Sequence, residues 1–547
     1  MPTLQFKGKN IIWNHHMSVP YHTLDPVKDL DFQPEQSNGN LIVEGDNLVA
    51  LKALLPEYRG RVKCIYIDPP YNTGNEGWSY NDNVSSPMIN EWLGQEVAKD
   101  DLTKHDKWLC MMTPRLKLLN ELLIPEEGII FISIDDNEHS NLKLLCDEIF
   151  GEENFLGNIV RATGQTTGQD SGGLGSSFDF LLVYGKNSSI SLSGLPLTQK
   201  DLKRFDNEDE RGKYAYDQMR KTGSNDKRTD RPNMYYSISD PDGNEIYPIA
   251  PAGYESCWRF EKKTYERLID EGYILWKKTK RDNKEIWWPY VKYYLEGRTK
   301  RPSPLWNDLD GNKKAARDLR ELFDGEKVFD FPKPTALIKR CIQIAPNASK
   351  DDIILDSFAG SGTTAHAVME LNKEDGGNRQ YIVVQMPENS DKELDKNICR
   401  DITRERIVRA VDMYGYESGF EYVRVGQALD AETLLEGELP SYETFAKYVY
   451  YLAMGEHLED DQNIDQESYF VGTKNNQDIY LIYDDNMEAL QSLALNYEKA
   501  ESFRARSGER KVIVYAPACF LDEEDLQEMK IEFVSIPYNL FSKNQEV

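Results

Sequence analysis

Unbroken apolar runs alternate with stretches of helical period over much of this chain. Leu41-Ile42-Val43, Cys64 to Ile67, Ile129 to Ile134, Phe180 to Tyr184 and Asp352-Ile353-Ile354-Leu355 are predicted strands, and Cys64 to Ile67, apolar and β-branched, reads as an interior parallel one. Between them, Leu48, Leu51, Leu54 and Leu55 mark one helix. Leu109, Leu116, Leu119 and Leu123 mark a second, which Pro114 is expected to kink. Leu142, Leu145 and Ile149 define a third, with Asp136 as its expected N-cap and Gly151 as its stop. A further helix runs from Leu337 to Ile344. Strand and helix in turn predict an α/β, doubly wound sheet.

Two of these strands end abruptly in polar chemistry. Cys64 to Ile67 runs into Asp68-Pro69-Pro70-Tyr71. Each proline fixes φ and lacks an N–H, so a carboxylate, two carbonyls and an aromatic face are expected on a stiff elbow at a carboxyl strand end, where open α/β sheets hold ligands. That set suits a flat molecule bearing an exocyclic amine. The second strand runs into Asp356-Ser357-Phe358-Ala359-Gly360-Ser361-Gly362-Thr363-Thr364, a glycine turn opening a helix, where backbone N–H groups can approach an anionic ligand. It is neither a Walker loop nor a complete dinucleotide fingerprint. The polar stretch from Thr73 to Ser86, with Asn75, Trp78, Tyr80 and Asp82, is expected to be a lid.

Length and charge add organisation. At 547 residues several domains are expected, and at 39% hydrophobic and 11% aromatic the composition is globular. The seven cysteines show no C-x-x-C pairing, no metal-ligand set emerges, and no stretch is long and apolar enough to span a membrane. A cytoplasmic location is expected. His15 and His16 read as part of a polar loop.

A net charge of −28 requires any nucleic-acid contact to be local. Residues 190–320 lose the regular alternation and hold a basic strip that includes Lys277, Lys278, Lys280, Arg281, Arg298, Lys300 and Arg301, with Trp276, Trp287, Trp288, Tyr290, Tyr293 and Tyr294 interleaved. One reading is contact with phosphates and bases. The other is a small β-rich domain with tryptophans in its core and lysines in water. The expected division is an arm (1–40), a target-base half (41–189), an inserted recognition region (190–320), a cofactor half (321–418) and an acidic α/β interaction domain (419–547). The acidic run around Glu456 and Asp465 reads as a solvated loop.

Asp68-Pro69-Pro70-Tyr71 followed far downstream by Phe358-Ala359-Gly360-Ser361-Gly362 resembles the amino-group DNA methyltransferases that use S-adenosylmethionine, in the motif order of their beta class. Gly45-Asp46-Asn47-Leu48, His105 to Leu109, Ser133 to Glu138, Glu148 to Gly151 and Val383 to Glu388 extend the resemblance to the modification subunits of type III restriction-modification systems, over about Phe6 to Tyr414.

The resemblance implies a Rossmann-like methyltransferase sheet in permuted motif order and methyl transfer to N6 of a flipped-out adenine in double-stranded DNA. Asp68, Pro69, Pro70 and Tyr71 would form the catalytic elbow. Asp46, Lys333, Asp356, Phe358, Gly360, Gly362, Thr363 and Gln385 would bind the cofactor, with Gln385 standing where a carboxylate usually holds the ribose hydroxyls. A homodimer and a helicase-nuclease restriction subunit are the implied partners. Three alternatives stay open. They are cytosine-N4 methylation, which Asp rather than Ser before Pro-Pro-Tyr disfavours, RNA methylation, and a non-catalytic DNA-recognition subunit of a helicase-nuclease complex.

Overall fold

The computed structural model describes residues 3–73, 104–164, 177–281, 284–387, 397–429, 439–458 and 464–536. The lid expected at Thr73 to Ser86, and its Asn75, Trp78, Tyr80 and Asp82, lie almost wholly outside them. So does most of the Gly/Ser/Thr-rich stretch from Thr163 to Ser177, which reads in sequence as a loop.

The chain forms two compact units, residues 1–193 with 302–547, and residues 194–301. The first is built on a ten-stranded sheet in the order His22–Pro26, Glu421–Ala428, Leu41–Glu44, Gln380–Gln385, Ile353–Asp356, Cys64–Ile67, Ile129–Ile134, Phe178–Gly185, Phe155–Ala162, Leu305–Trp306. From Glu421–Ala428 to Ile129–Ile134 every neighbour is parallel. Phe178–Gly185 enters antiparallel. Helix Thr363–Asp375 joins the neighbours Ile353–Asp356 and Gln380–Gln385, helix Lys104–Leu122 lies between Cys64–Ile67 and Ile129–Ile134, and period-two alternation sends successive side chains to opposite faces. Ile65, Ile67, Ile130, Ile132, Ile134 and Leu355 thus share a core with helices Asn47–Tyr58, Lys104–Leu122 and His139–Phe150. Cys64, Tyr66, Phe131 and Ile354 are buried on the other face.

Four local expectations change. Asp136 does not cap the third helix. Glu138 occupies the N-cap position, and the Asp135 carboxylate turns back onto the Asn137 N–H. His15 and His16 sit on a short helix, His15–Ser18, where burial lowers both imidazoles to about 4 and keeps them neutral. His22–Pro26 and Glu421–Ala428 pair antiparallel inside the main sheet, so part of the arm and the first residues of the expected terminal domain belong to that sheet. Leu305–Trp306 likewise joins that sheet beside Phe155–Ala162, leaving Gly194–Arg301 as the inserted unit.

The C-terminal strands Phe470–Lys474, Gln477–Leu481, Lys511–Ala516 and Ile531–Ser535 form their own sheet. Ile479, Leu481, Ile513 and Tyr515 are continuous with the main core through helix Tyr442–Met454, whose Tyr448 ring packs 5.0 Å from that of Tyr21. In the inserted unit, Ile274–Arg281, Lys284–Tyr294, Gly212–Gln218 and Asn207–Asp209 form an antiparallel sheet over Trp258, Trp288, Met219 and Tyr265.

Candidate active site

The register Ile354↔Cys64 and Leu355↔Ile65 places the glycine loop and the elbow at the same end of adjacent parallel strands. Asp68, just past Ile67, is partly buried. Its Oδ1 accepts the Tyr71 hydroxyl at 2.7 Å, and its Oδ2 is 2.5 Å from Lys333 Nζ. The ammonium also donates to the Tyr71 oxygen at 3.0 Å and lies 4.9 Å from the centre of that ring. Burial, followed by the adjacent Asp68 carboxylate, pushes the Tyr71 phenol well above its ordinary range, so it remains a donor.

Pro69 is buried, and among the described residues no donor reaches its carbonyl. The Pro70 carbonyl, expected to be free, accepts the Trp108 indole N–H at 2.6 Å. This leaves Asp68 and the Pro69 carbonyl as the acceptors an amine could meet.

The elbow is clamped by residues to which the sequence alone assigns no role. Asn72 has φ +59°, a left-handed conformation that asparagine tolerates. Its side-chain amide donates to the Lys104 carbonyl at 3.1 Å and to Glu138 Oε1. Glu138 is 0% exposed and also accepts from His105 Nδ1 and Asn141 Nδ2, each at 2.7 Å. Glu138 ends the stretch Ser133 to Glu138 that carries part of the family resemblance, but no role is legible for it in the sequence.

On the cofactor side, Gly360 (φ +52°) and Gly362 (φ +79°) take conformations that a side chain would strain. A Cβ at Gly360 would come 3.1 Å from the Phe329 ring, and one at Gly362 would come 3.0 Å from the Thr403 carbonyl. Phe358 is buried. Asp356 is buried too, accepting the Phe358 N–H at 2.9 Å and the Thr364 hydroxyl at 2.5 Å. Burial raises its carboxyl to about 7. Thr363 opens helix Thr363–Asp375 and donates its hydroxyl to the Lys333 carbonyl at 3.2 Å.

Gln385 Oε1 accepts the Gly360 N–H at 2.7 Å, and its amide N donates to Met386 O at 3.3 Å. It therefore holds the loop from the neighbouring strand, and a ribose could use its remaining lone pair and second amide N–H. Asp46 is the N-cap of helix Asn47–Tyr58, accepting from Leu48 and Val49, with Arg115 Nη2 3.5 Å away. Asn47, part of the Gly45 to Leu48 stretch but given no role there, is buried and donates to the Ser357 carbonyl at 3.1 Å, tying this helix to the glycine loop.

The basic strip divides by environment. Lys277 lies against Tyr216, with Nζ 3.9 Å from the ring centre, and Lys278 lies over Trp287 at 5.0 Å. Lys280 is exposed, as is Arg301. Arg298 caps the Tyr294 carbonyl at 2.6 Å, and Lys300 pairs with Asp201 at 3.3 Å. The Arg281 side chain lies outside the described residues. Trp258 and Trp288 are core residues, so part of the aromatic pattern builds this unit. Among the described residues there is no cluster of metal-ligating side chains, and no helix is long and apolar enough to cross a membrane.

A partly buried elbow with a carboxylate and an unclaimed carbonyl thus stands beside a glycine turn that opens a helix. Residues 62–428 match the DNA methylase family, and the chain belongs to it. It is 35% identical over 387 residues to the type III restriction-modification enzyme EcoPI Mod subunit of Escherichia phage P1, covering 65% of this chain and 59% of that one. It is also 35% identical over 393 residues to the StyLTI Mod subunit of Salmonella typhimurium, covering 68% and 57%. With the type II methyltransferase M.KpnI of Klebsiella pneumoniae it shares 37% identity over 377 residues, 66% of this chain and 84% of that protein. The chain thus spans less than two thirds of the length of the two Mod subunits.

Proposed function

We propose that this chain is a DNA adenine-N6 methyltransferase that uses S-adenosylmethionine, acting as the modification subunit of a type III-like restriction-modification system. The observation that carries the reading is the placement of Asp68 and Gly360 past the ends of two hydrogen-bonded parallel strands, which brings an amine-binding elbow beside a cofactor-type loop. The glycine conformations, the N-terminus of helix Thr363–Asp375 and the Phe329 ring over Gly360 fit an adenosyl-methionine ligand. Phe358, Gly360, Gly362 and Thr363 would hold it. Bound there, the cofactor supplies an electrophilic methyl group.

The remaining chemistry belongs to the protein. The lone pair of an adenine N6 is delocalised into its ring, so nucleophilicity requires the nitrogen to become tetrahedral. The Asp68 carboxylate and the Pro69 carbonyl accept its N–H bonds and favour the positive charge that develops there. An amine approaching Asp68 Oδ2 takes the place now held by Lys333. The Tyr71 face packs on the base. A base within a duplex cannot reach this recess, so the nucleotide is flipped out.

Double-stranded DNA is the substrate, with the inserted unit presenting it through Lys278, Lys280 and Arg301 among other groups. A homodimer in the cytoplasm, with a helicase-nuclease restriction subunit, completes the reading. Incubation with S-adenosylmethionine labelled in its methyl group and mixed-sequence duplex DNA, followed by nucleoside digestion, tests it. Label in N6-methyl-2′-deoxyadenosine supports it, and label confined to N4-methyl-2′-deoxycytidine moves the chain to the alternative amine.

A further inference from the structure

Arg406 is a buried cation that the chemistry above leaves unused. It projects from helix Glu405–Tyr414 and is 3% exposed. Its Nη1 donates to Ser361 Oγ and Thr363 Oγ1, each at 2.7 Å, and reaches the Ser361 carbonyl at 3.5 Å. Its Nε is buried with no hydrogen-bond partner. Among the described residues no carboxylate pairs with it. Asp318 is the acidic group that influences it, and that side chain is exposed and bound to Lys314 at 3.2 Å. Burial lowers the guanidinium to about 10, which still leaves it charged at neutral pH.

This charge lies at the start of helix Thr363–Asp375, whose N-cap, Gly362, offers no side-chain acceptor to the first-turn N–H groups. A helix N-terminus is itself electropositive. Two positive features therefore meet in the protein interior, and the buried acid of this loop, Asp356, is held by the Phe358 N–H and the Thr364 hydroxyl instead of Arg406, an arrangement that costs stability unless a ligand supplies a counter-charge. Lys333 does not share this position, because its ammonium is committed to Asp68 and Tyr71. The Ser361 and Thr363 oxygens accept from Arg406 and so keep their own protons for donation. Thr363 spends its proton on Lys333 O, and the Ser361 hydroxyl faces Thr363 Oγ1 across 3.4 Å, a long contact it can exchange for a ligand acceptor.

We propose that Arg406 is the counter-charge for the carboxylate at the methionine end of S-adenosylmethionine, acting at the glycine loop together with the Ser361 hydroxyl and the first-turn N–H groups. The inference rests on the methylase reading and deepens it. It makes Arg406 a residue that selects for the carboxylate, where a packing role would be blind to it.

The test is equilibrium binding of S-adenosylmethionine and of decarboxylated S-adenosylmethionine to the full chain, by calorimetry, for wild type, Arg406→Met, Arg406→Lys and Ser361→Ala. Wild type should prefer the carboxylated ligand. Arg406→Met should lose about tenfold or more for it, with less than about threefold change for the decarboxylated one, since a charge-assisted hydrogen bond is worth about that much. Arg406→Lys should fall between. Equal loss for both ligands, or a wild type that does not discriminate, would overturn the inference and leave the methylase reading standing. A wild type that binds neither ligand would overturn that reading, and this inference with it. Should Arg406→Met fail to fold, a wild-type ligand ratio in both Arg406→Lys and Ser361→Ala would overturn the proposal.

Discussion

Lys333 Nζ stands 2.5 Å from Asp68 Oδ2, while the Lys333 main-chain carbonyl accepts the Thr363 hydroxyl at 3.2 Å. One residue thus bridges the elbow and the cofactor loop, with its charge on the elbow side. Lys333→Met keeps the backbone link and removes the charge that orients Asp68. The expected result is a kcat lower by about 10- to 100-fold with cofactor affinity within about threefold of wild type, as when an oriented electrostatic partner is lost from a reacting site. Loss of cofactor binding in that variant would instead place the ammonium at the cofactor.

The clamp behind the elbow makes a separate prediction. Glu138→Ala leaves the Asn72 and Asn141 amides short of acceptors in the interior, at an expected cost of about 2–4 kcal/mol in unfolding free energy. Because Asn72 directly follows Tyr71, activity should fall as well, even at temperatures where the variant is fully folded. Denaturant unfolding and kcat measured on the same preparation check both parts.

Asp356 links the site to pH. Its carboxyl is raised by burial from 3.8 to about 7, so between those values the folded protein holds a proton that the unfolded chain releases. Its contribution to stability is therefore present at low pH and is lost as pH rises through that window, by an amount on the order of 2–4 kcal/mol. Asp356→Asn keeps the shape without the titration. Its stability relative to wild type should rise between pH 5 and pH 8, and parallel curves would contradict the assignment.

What could be read from the chain, and what could not, follows from the range of the interactions. The strands Cys64–Ile67 and Ile353–Asp356 are apolar throughout because they are buried on both faces, and the elbow and glycine turn are contiguous words. Their supports are tertiary. Trp108 reaches Pro70 across 38 residues, Glu138 reaches Asn72 across 66, and Arg406 reaches Ser361 across 45. Glu138 and Arg406 carry charges that ordinarily signal surface, and only folding reveals their burial. The edge strand His22–Pro26 stayed hidden because its exposure pattern is mostly polar and its partner lies some 400 residues away.

In the inserted unit the accessible charges should matter more than the packed ones. Lys280 is exposed and Lys278 covers an indole, whereas Lys277 hydrogen-bonds Tyr216. Reversing Lys278 and Lys280 to glutamate should weaken duplex binding and lower the slope of log affinity against log salt by about 1–2. Lys277→Met should change the slope less and stability more. An unchanged slope in the double variant would make these lysines solvated neighbours of the tryptophan core.

The central claim is that Asp68 directs methyl transfer to adenine N6. Modification-sensitive sequencing of DNA from cells carrying the wild-type chain or Asp68→Ala measures it directly. The expected result is N6-methyladenine at one recurring sequence with wild type and none with Asp68→Ala, while the purified variant still binds S-adenosylmethionine. Methylation retained in Asp68→Ala, or found only on cytosine N4, would contradict it.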